Sequence, residues 1–323
     1  MKQMTRSTMV VWIILATLGS AHAQNYPVKP IRWIVPFSPG GITDTATRVI
    51  APKLSAILGQ PVVVENRPGA SGVIGTELVA KAAPDGYTLL LGAIAPLAIS
   101  PNTQKNLPYD PVKDFAPISQ MLNTSMLLVV HPSLGVNSLN DLIALAKSRP
   151  GQLDYGSNGN GTAGHITMEL LKMSTGINIT HVPYGAGAQA VTDLLGGHVQ
   201  LMFDTIAVVG PHVKAGKVKA LAISSPKRVA AMPEIPTVAE AGNIPGFYFG
   251  GWAGLVAPAG TPADIVTRLH QAIVKILATP EIQDMFSKQY GMEAVSSTPE
   301  QFAALIKTEI PKLGKVIASS GPK

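Results

Sequence analysis

PISQMLNTSMLLVV, residues 117–130, is an extended apolar stretch long enough to cross from one lobe of a protein to another. A second stretch of this kind, FYFGGWAGLVA at residues 247–257, is a predicted strand that Gly250 and Gly251 interrupt. Two crossings imply a discontinuous first lobe, because the chain must leave that lobe and later return to it. The expected boundaries are 24–123 and 247–323 for the first lobe and 124–246 for the second.

Short apolar strands alternate with helical patterns on both sides of these crossings. The predicted strands are Ile31–Val35, Gln60–Glu65, Thr88–Leu91, Leu153–Tyr155, Asn178–Val182, Leu201–Phe203 and Val218–Ile223. The predicted helices are Thr43–Leu58, Gly75–Ala82, Ser138–Lys147, Thr162–Met173, Gly187–Leu195, Asp264–Leu277 and Pro299–Ile317. Pro52 is expected to kink or divide the first helix. The alternation favours an α/β fold with mostly parallel sheets.

The first 23 residues have the pattern of a secretory signal peptide. Lys2 and Arg6 give a charged start, residues 9–18 form a short apolar run, and Ala21-His22-Ala23 is a small-x-small cleavage site. The alternative, an uncleaved anchor, is disfavoured because a membrane span needs about 20 apolar residues. No Cys follows the run, which excludes lipid attachment. We expect export to the periplasm and a mature protein that begins at Gln24.

Charge and cysteine content exclude several classes of function. Without Lys2 and Arg6, the 25 basic residues become 23 against 19 acidic ones, a dispersed net charge of +4. No dense Lys/Arg run occurs, so nucleic acid and membrane surfaces are poor partners, whereas a mildly basic surface suits a small anion. The absence of Cys rules out disulfides, thiolate metal sites and cysteine nucleophiles. We expect no cofactor, no metal and no direct membrane insertion.

The segment Pro36-Phe-Ser-Pro-Gly-Gly-Ile-Thr-Asp44 joins the first strand to the first helix. Gly40 and Gly41 allow a sharp turn that brings backbone N–H groups close to a ligand, and the helix N-terminus adds partial positive charge. Together they predict an anion site that needs no cationic side chain. The alternative is that the glycines only make a tight turn and that Asp44 only caps the helix.

A second glycine-rich loop, Asn66-Arg-Pro-Gly-Ala-Ser-Gly72, also lies between a strand and a helix. Arg67 is a candidate clamp for the ligand, although an Arg in such a loop more often bridges loops structurally. Ser71 is a candidate donor to a ligand oxygen.

A third loop, Gly159-Asn-Gly-Thr-Ala-Gly164, matches the G-x-G-x-x-G pattern of dinucleotide-binding folds. That pattern needs an acidic residue about 20 positions further on, and the next strand ends in His181-Val-Pro-Tyr184 without one. What remains is another glycine-rich turn at a helix start, with Asn158, Thr162 and His165 beside it. His165 is equally well explained as a packed first-turn residue.

Asp204 ends a predicted strand, which is where ligands of open α/β sheets bind. An acid beside a bound carboxylate repels it unless water or a ligand donor lies between them, and the alternative role is to cap the following turn. The sequence has no G-x-S-x-G elbow and no H-x-x-x-H or H-E-x-x-H spacing. We therefore expect a binding protein without catalytic residues.

Taken in order, these segments make the chain resemble the Bug-type receptors of tripartite tricarboxylate transporters (TTT). The motifs that carry the resemblance are Tyr26–Gly41, Val64–Gly72, Ala83–Leu89, Leu107–Pro111, Gly159–His165, His181–Tyr184, Asp193–Gly197, Met202–Asp204 and Pro258–Pro262. The resemblance implies a type II periplasmic binding protein fold, in which two α/β lobes close by a hinge motion around a small carboxylate.

The resemblance also implies where the ligand binds, with one carboxylate held mainly by backbone groups and bridging waters. The implied first-lobe residues are Phe37, Ser38, Gly40, Gly41, Asp44, Ala70, Ser71 and Gly72. Ala93, in the apolar loop after the third strand, is a further candidate contact. The implied second-lobe residues are Asn158, Thr162, His165, Tyr184 and Asp204. The implied partners are the large and small membrane subunits of a transporter, and the receptor is expected to be a monomer.

Two departures from the family bear on the ligand. Tyr184 is followed by Gly185, where the family commonly has Lys or Arg, and the loop Gly92–Ala98 lacks the Ser or Thr often found there. Both argue against citrate and favour an acid with an apolar body lying over Ala93–Leu97. The alternative is that this loop faces the lobe interior. A different class of function, presentation of the ligand to a membrane sensor without transport, fits the same sequence.

Overall fold

The computed structural model describes residues 26–185 and 187–319. The predicted signal peptide and its cleavage site lie outside the described residues. The strands within them are β1 Ile31–Val35, β2 Val62–Asn66, β3 Thr88–Ala93, β4 Phe115–Val130, β5 Asp154–Ser157, β6 Thr180–Pro183, β7 Leu201–Thr205, β8 Lys219–Ile223, β9 Gly250–Pro258 and β10 Met292–Ala294.

The α-helices of the same residues follow the strands closely. They are α1 Ile42–Leu58, α2 Val73–Ala80, α3 Ser100–Thr103, α4 Leu139–Ser148, α5 Ala163–Thr175, α6 Gly187–Leu195, α7 Ile206–Lys214, α8 Val238–Gly242, α9 Ala263–Leu277, α10 Pro280–Asp284 and α11 Pro299–Ser319. Short 3₁₀ or π turns occupy Ala70–Gly72, Ala95–Ile99, Pro132–Leu134 and Met285–Gln289.

Two mixed sheets share the 16-residue strand β4. Its first part, Phe115–Ser125, pairs with β9 and β10 in a first sheet of order β2-β1-β3-β9-β4-β10. Its last part, Met126–Val130, pairs with β7 and β8 in a second sheet of order β8-β4-β7-β5-β6. The stretch predicted as a crossing therefore runs from one sheet directly into the other.

Strand directions place the carboxyl edges of the two sheets opposite each other. β1, β2 and β3 are parallel, β9 is antiparallel to β3, and β4 is antiparallel to β9, so β1–β3 run in the direction of β4 and end toward the second sheet. β5, β6 and β7 are parallel to one another and antiparallel to β4, so they end toward the first sheet. The loops that follow all six strands thus face a common gap.

Hydrophobic clusters cover both faces of each sheet. α1 and α9 bury Ile50, Leu54, Leu269 and Ile273 on one face of the first sheet, and the other face packs with α2 and α11. The second sheet has one cluster with α4 and α5 and another with α6 and α7. Ile166 of α5 belongs to a first-sheet cluster, so the two halves of the molecule are also in apolar contact beside the gap.

Three expectations need correction. The expectation of mostly parallel sheets is wrong for β4, β8, β9 and β10, which pair antiparallel. Pro52 does not divide α1, because it is exposed and the hydrogen bond it cannot form is lost on the solvent side.

Gly250 and Gly251 do not interrupt β9. A Cβ on Gly250 would lie 2.7 Å from the carbonyl oxygen of Thr124, and a Cβ on Gly251 would lie 2.6 Å from the hydroxyl of the same residue. The two glycines therefore allow β9 to approach β4 closely where the chain passes between the sheets.

Among residues 26–185 and 187–319, none of the helices combines the length and the apolar character that a membrane crossing requires.

Candidate ligand-binding site

The loop between β1 and α1 is fixed by Asp44. This buried carboxylate accepts hydrogen bonds from the Gly40 N–H at 2.8 Å, from Arg48 Nε at 2.9 Å and from Asn66 Nδ2 at 2.9 Å. Burial alone would raise the pKa of Asp44, but these three donors outweigh it and lower that pKa. Asp44 is therefore a charged, fully paired group that holds the turn in place.

This network changes which backbone groups remain for an anion. The N–H of Gly40, predicted to face the ligand, donates to Asp44 instead. Gly41 occupies the N-cap position of α1 and supplies no side-chain cap, so the first N–H groups of the helix keep their hydrogen-bonding capacity. The anion site predicted for this loop thus narrows to the turn from Gly41 into α1.

The loop before α2 stores backbone strain. Gly69, Ala70, Ser71 and Gly72 all have positive φ angles, of 131°, 47°, 55° and 95°. Ala70 and Ser71 are not glycines, and the left-handed region costs such residues free energy that surrounding structure must offset. Successive left-handed residues turn their N–H groups toward one side, a geometry that binds anions. α2 begins at Val73 without a side-chain cap, as α1 does.

The two first-lobe loops lie against each other. Asn66 Nδ2 donates to the carbonyl oxygen of Phe37 at 3.0 Å as well as to Asp44, and so ties the end of β2 to the loop after β1. A Cβ on Gly72 would lie 3.3 Å from both the Phe37 ring and Pro96, which places three loops in contact. Ser38 is exposed, and the part-exposed hydroxyl of Ser71 has no hydrogen-bond partner among the described residues.

The loop after β3 is mostly interior. Ala93 is 4% exposed and belongs to a first-sheet core cluster, and Leu97, Ala98 and Ile99 are at most 1% exposed. Of the two readings of this loop, the one in which it faces the lobe interior fits these positions better. Contact between Ala93 and a ligand stays a prediction.

The side chain of Arg67 pairs with Glu65, which also binds Arg32. Arg67 Nη2 donates to Glu65 Oε2 at 3.2 Å, and Arg32 binds the same carboxylate through Nε and Nη2. The hydrogen bond from Arg32, reinforced by Arg67, lowers the pKa of Glu65 to about 2 although partial burial opposes the shift. The guanidinium of Arg67 is thus paired with a residue of the adjoining strand β2, and its role as a ligand clamp or as a bridge between loops stays a prediction.

The loop after β5 carries most of the predicted second-lobe residues. Thr162 is the N-cap of α5, and its hydroxyl turns back to the carbonyl oxygen of Gly159 at 2.8 Å rather than capping the helix. His165 is 7% exposed and accepts the Gly161 N–H at Nδ1, so that nitrogen carries no proton. The hydroxyl of Tyr184 donates to Asp193 at 2.7 Å, and burial followed by this contact raises the pKa of Tyr184 to about 12.

Three stacked rings lie beside this loop, those of Tyr155, His181 and His165. The His181 ring lies 4.2 Å from that of His165 and 4.7 Å from that of Tyr155, and all three planes are within 18° of parallel. His181 Nε2 is 2.6 Å from the hydroxyl of Ser157, and Tyr155 donates to Glu169 at 2.6 Å. The sequence motifs named His165 but gave no sign of this stack, which only the spatial meeting of β5, β6 and α5 creates.

Asp204 lies at the end of β7 and is 4% exposed. Its Oδ2 accepts from Asn158 Nδ2 at 3.2 Å and its Oδ1 from the N–H of Thr205, but no Lys or Arg of the described residues pairs with it. Burial raises its pKa to about 6, and Thr205 and Asn158 only partly oppose the shift. The Thr205 hydroxyl is near this carboxyl, yet it is buried and has no partner that meets hydrogen-bond geometry.

Thr205 is the residue that the sequence motifs missed. It is the N-cap of α7, but its hydroxyl makes no cap hydrogen bond and lies near the carboxyl of Asp204. A Thr directly between a strand-ending acid and a helical pattern was the available signal.

The predicted site residues therefore form two groups, one on each side of the gap between the sheets. One group surrounds Phe37, Gly41, Asp44 and Gly72, and the other surrounds Asn158, Thr162, His165 and Asp204. A Cβ on Gly161 would lie 3.1 Å from the side chain of Ile99, so the loops of the two halves touch beside the gap.

Other features of the described chain lie elsewhere. A shallow groove of about 850 Å³ runs along the outer face of α1 beside Pro52 and Val62. A cavity of about 240 Å³ lies between β4, β9 and α11, lined by Trp252 and Lys312 among others. In residues 26–185 and 187–319 no group of three or more His, Asp or Glu side chains is arranged to hold a metal ion.

Comparison with known proteins decides the family. The model of the tripartite tricarboxylate transporter family receptor matches residues 46–321. The chain belongs to this receptor family. BugT of Bordetella pertussis is 41% identical to it over 324 residues, which cover 99% of both chains.

Two solved structures of similar proteins carry ligands. Rpa4515 of R. palustris with adipate is 36% identical, covers 92% of this chain and 98% of its own, and superposes with a TM-score of 0.86. MatC of Rhodopseudomonas palustris with bound malate is 33% identical, covers 90% and 100%, and has a TM-score of 0.79. The receptor thus has the α/β periplasmic binding protein fold that its sequence predicts.

Proposed function

We propose that this receptor captures a small carboxylate between its two lobes in the periplasm and delivers it to the large and small membrane subunits of a tripartite tricarboxylate transporter. Its family membership and the adipate and malate in two similar structures support this proposal. The signal-peptide pattern of the first 23 residues supports export. We also propose the lobe boundaries 24–123, 124–246 and 247–323, monomeric assembly, and a binding rather than catalytic role.

The main support for the binding site is the bare backbone of Gly41. Its φ of −73° and ψ of 168° suit any residue, and a Cβ there would meet only the carbonyl oxygen of Ser38 at 3.7 Å. The fold therefore has no need of glycine at this position, unlike Gly40, whose φ is 81°. A bare backbone at an uncapped helix start gives an anion access to the N–H groups of α1.

A screen of carboxylic acids by thermal unfolding is the first test. A ligand at about 100 times its Kd should stabilise the receptor by roughly 2.7 kcal/mol. The panel should contain mono- and dicarboxylates of different lengths, aromatic acids and citrate. No stabilisation by any acid would contradict carboxylate capture, and tighter binding of citrate than of every other acid would contradict the preference inferred from Gly92–Ala98 and Gly185.

Gly41→Val tests the backbone site directly. We expect affinity for the best acid of the panel to fall about 100-fold or more, as after loss of roughly two charge-assisted hydrogen bonds. Ala259→Val places the same side chain at an exposed position after β9, at the opposite edge of the first sheet, and should leave affinity unchanged. Retained binding in Gly41→Val together with loss in Arg67→Ala would show that an ion pair holds the carboxylate.

Two further measurements test export and motion. N-terminal sequencing of periplasmic material should begin at Gln24, and retention of residues 9–18 would contradict cleavage. X-ray scattering should give a smaller radius of gyration with a saturating acid, because the sheets close around β4 and the segment before β9. An unchanged radius would contradict closure on the ligand.

A strain that lacks the membrane subunits separates transport from presentation to a sensor. If the receptor serves transport, uptake of the ligand should be lost in that strain.

A further inference from the structure

The second-lobe half of the site has the opposite chemistry to an anion site. Asp204 is buried at the carboxyl end of β7, and its described partners are the amide of Asn158 and the N–H of Thr205, both neutral. A buried carboxylate without a cation is costly, because the lost hydration is not replaced. The site therefore favours a ligand group that forms a hydrogen bond with Asp204, with a hydrogen between the ligand atom and the carboxyl oxygen.

Thr205 provides an independent observation at the same place. Its hydroxyl is buried, at 7% exposure of the residue, and lies near the Asp204 carboxyl, but no group of the described residues meets hydrogen-bond geometry with it. Folding removes the hydrogen bonds between such a hydroxyl and water, and this lowers the stability of the free receptor. A bound ligand that forms a hydrogen bond with the hydroxyl offsets that cost. The hydroxyl is both donor and acceptor, so beside Asp204 it can receive a ligand oxygen or a ligand N–H or O–H group.

We infer that Asp204 and Thr205 form a subsite for the end of the ligand remote from the anchored carboxylate, and that this subsite accepts a group that brings a hydrogen: a hydroxyl, an ammonium or a carboxyl that shares one proton with Asp204. The inference rests on the proposed function. A dicarboxylate binds with one proton taken up from solvent, which lies between its second carboxyl and Asp204. An acid with a terminal ammonium binds to ionised Asp204 and takes up none.

The titratable groups around Asp204 are otherwise engaged. The side chains on the elements packed against β7 are His165, Glu169 and Lys172 on α5, Asp154 and Tyr155 on β5, and His212 and Lys214 on α7. Glu169 pairs with Tyr155 and Lys172, His165 accepts from Gly161, and the two basic residues of α7 lie in its last turn, away from Asp204. The raised pKa of Asp204 comes from burial and not from a charged neighbour.

Four acids with the same six-carbon chain test the inference: adipate, 6-hydroxyhexanoate, 6-aminohexanoate and hexanoate. Calorimetry of the full mature receptor should show adipate affinity falling about tenfold per unit above roughly pH 7, with uptake of about one proton. The affinity of 6-hydroxyhexanoate should stay constant over that range, and that of 6-aminohexanoate should rise from about pH 5 to about pH 7 as Asp204 ionises. Hexanoate, which brings no hydrogen, should bind more weakly than 6-hydroxyhexanoate.

Asp204→Asn should abolish the pH dependence of adipate binding. The control variant Asp154→Asn, at the start of β5 and so at the edge of the sheet away from Asp204, should keep that pH dependence. Adipate binding that does not change with pH in the native receptor, or that changes equally in Asp204→Asn, would overturn the inference while leaving carboxylate capture intact. Failure of all four acids to bind would contradict the proposed function for this chain length and the inference with it. If Asp204→Asn does not fold, the proton count on the native protein still decides.

Discussion

Asp44 and Asp204 occupy similar places in the two halves of the molecule and have opposite electrostatic settings. Both are buried near the carboxyl end of a parallel strand, at 3% and 4% exposure. Asp44 has Arg48, Asn66 and a backbone N–H around it and a lowered pKa. Asp204 pairs with no cation among the described residues and has a pKa raised to about 6. Burial therefore does not by itself decide the charge of an acid; the donors around it do.

The different partners of Asp44 and Asp204 also suggest different roles, one in holding a loop and the other in binding a ligand. Asp44 has its oxygens paired within the fold and fixes the loop in which we propose that backbone N–H groups bind the anion. Asp204 has only neutral partners among the described residues. In the proposed site the two sides would therefore recognise opposite ends of a ligand, one by backbone N–H groups and the other by an acceptor that needs a hydrogen.

The strongest test of this comparison is removal of Asp44. Asp44→Ala leaves the Gly40 N–H, Asn66 and Arg48 without their acceptor and should lower the free energy of unfolding by about 2–4 kcal/mol. Asp154→Ala, whose side chain forms no hydrogen bond with the described residues, should cost less than about 1 kcal/mol. Urea denaturation measures both, and equal effects would show that the Asp44 network contributes little.

Asp204 should respond with the opposite sign. Because burial raises its pKa to about 6, the folded receptor binds this proton more tightly than the unfolded chain, so its contribution to stability is present at acid pH and lost as pH rises through about 6. Asp204→Asn should therefore exceed the native protein in stability by at most about 3 kcal/mol near pH 8 and match it near pH 4. A destabilised Asp204→Asn at about pH 8 would contradict the raised pKa.

A smaller effect should distinguish two buried hydroxyls, those of Thr205 and Thr76, for which no described residue meets hydrogen-bond geometry. Thr205→Val and Thr76→Val each remove such a group and should stabilise the free receptor by up to about 1 kcal/mol. Only Thr205→Val should weaken binding of 6-hydroxyhexanoate, since Thr76 is in α2 and away from the Asp204 subsite. Equal affinity in both variants would remove Thr205 from that subsite.

The smallest effect concerns Arg67, whose guanidinium pairs with Glu65 and which we expect to take no part in anion binding. Arg67→Ala should change stability by less than about 1 kcal/mol, because its pair with Glu65 is half exposed and Arg32 keeps the same carboxylate bound. Carboxylate affinity, measured by calorimetry, should not change. Arg32→Ala is the matched variant on β1 and should cost more, because it removes two hydrogen bonds to Glu65 instead of one.

Much of this fold follows from sequence pattern. β1 and α6 have the predicted bounds, and most other elements differ by one to three residues, because apolar periodicity depends on local burial. The pairing of β4 with both sheets was only implied by its length. The antiparallel order of β8, β9 and β10 could not be read from the sequence, since strand partners are chosen by packing far along the chain.

The site was predictable in position but less so in chemistry. Glycine-rich turns and a strand-ending acid pointed to loops that the structure places at the facing edges of the two sheets, because Gly and strand ends have local signatures. Burial of Ala93 follows from its pairing with Ala253, 160 positions away, and the surroundings of Asp204 depend on Asn158, 46 positions away. Asp44 accepts the Gly40 N–H from only four positions away, but it is also held by Asn66, 22 positions away. The pattern of any one loop therefore does not show which groups remain for a ligand.

The sharing of β4 between two sheets has a consequence for how the chain folds during export. Strands β5 to β8 and the last part of β4 are contiguous in the chain, so the second sheet is complete once about 100 residues after β4 have emerged. The first sheet needs β9 and β10, and its N-terminal strands must wait for partners more than 150 residues away. Such distant pairing gives high contact order and slow closure. The half of the protein synthesised first is therefore expected to fold last, and the inserted half to serve as its template through β4.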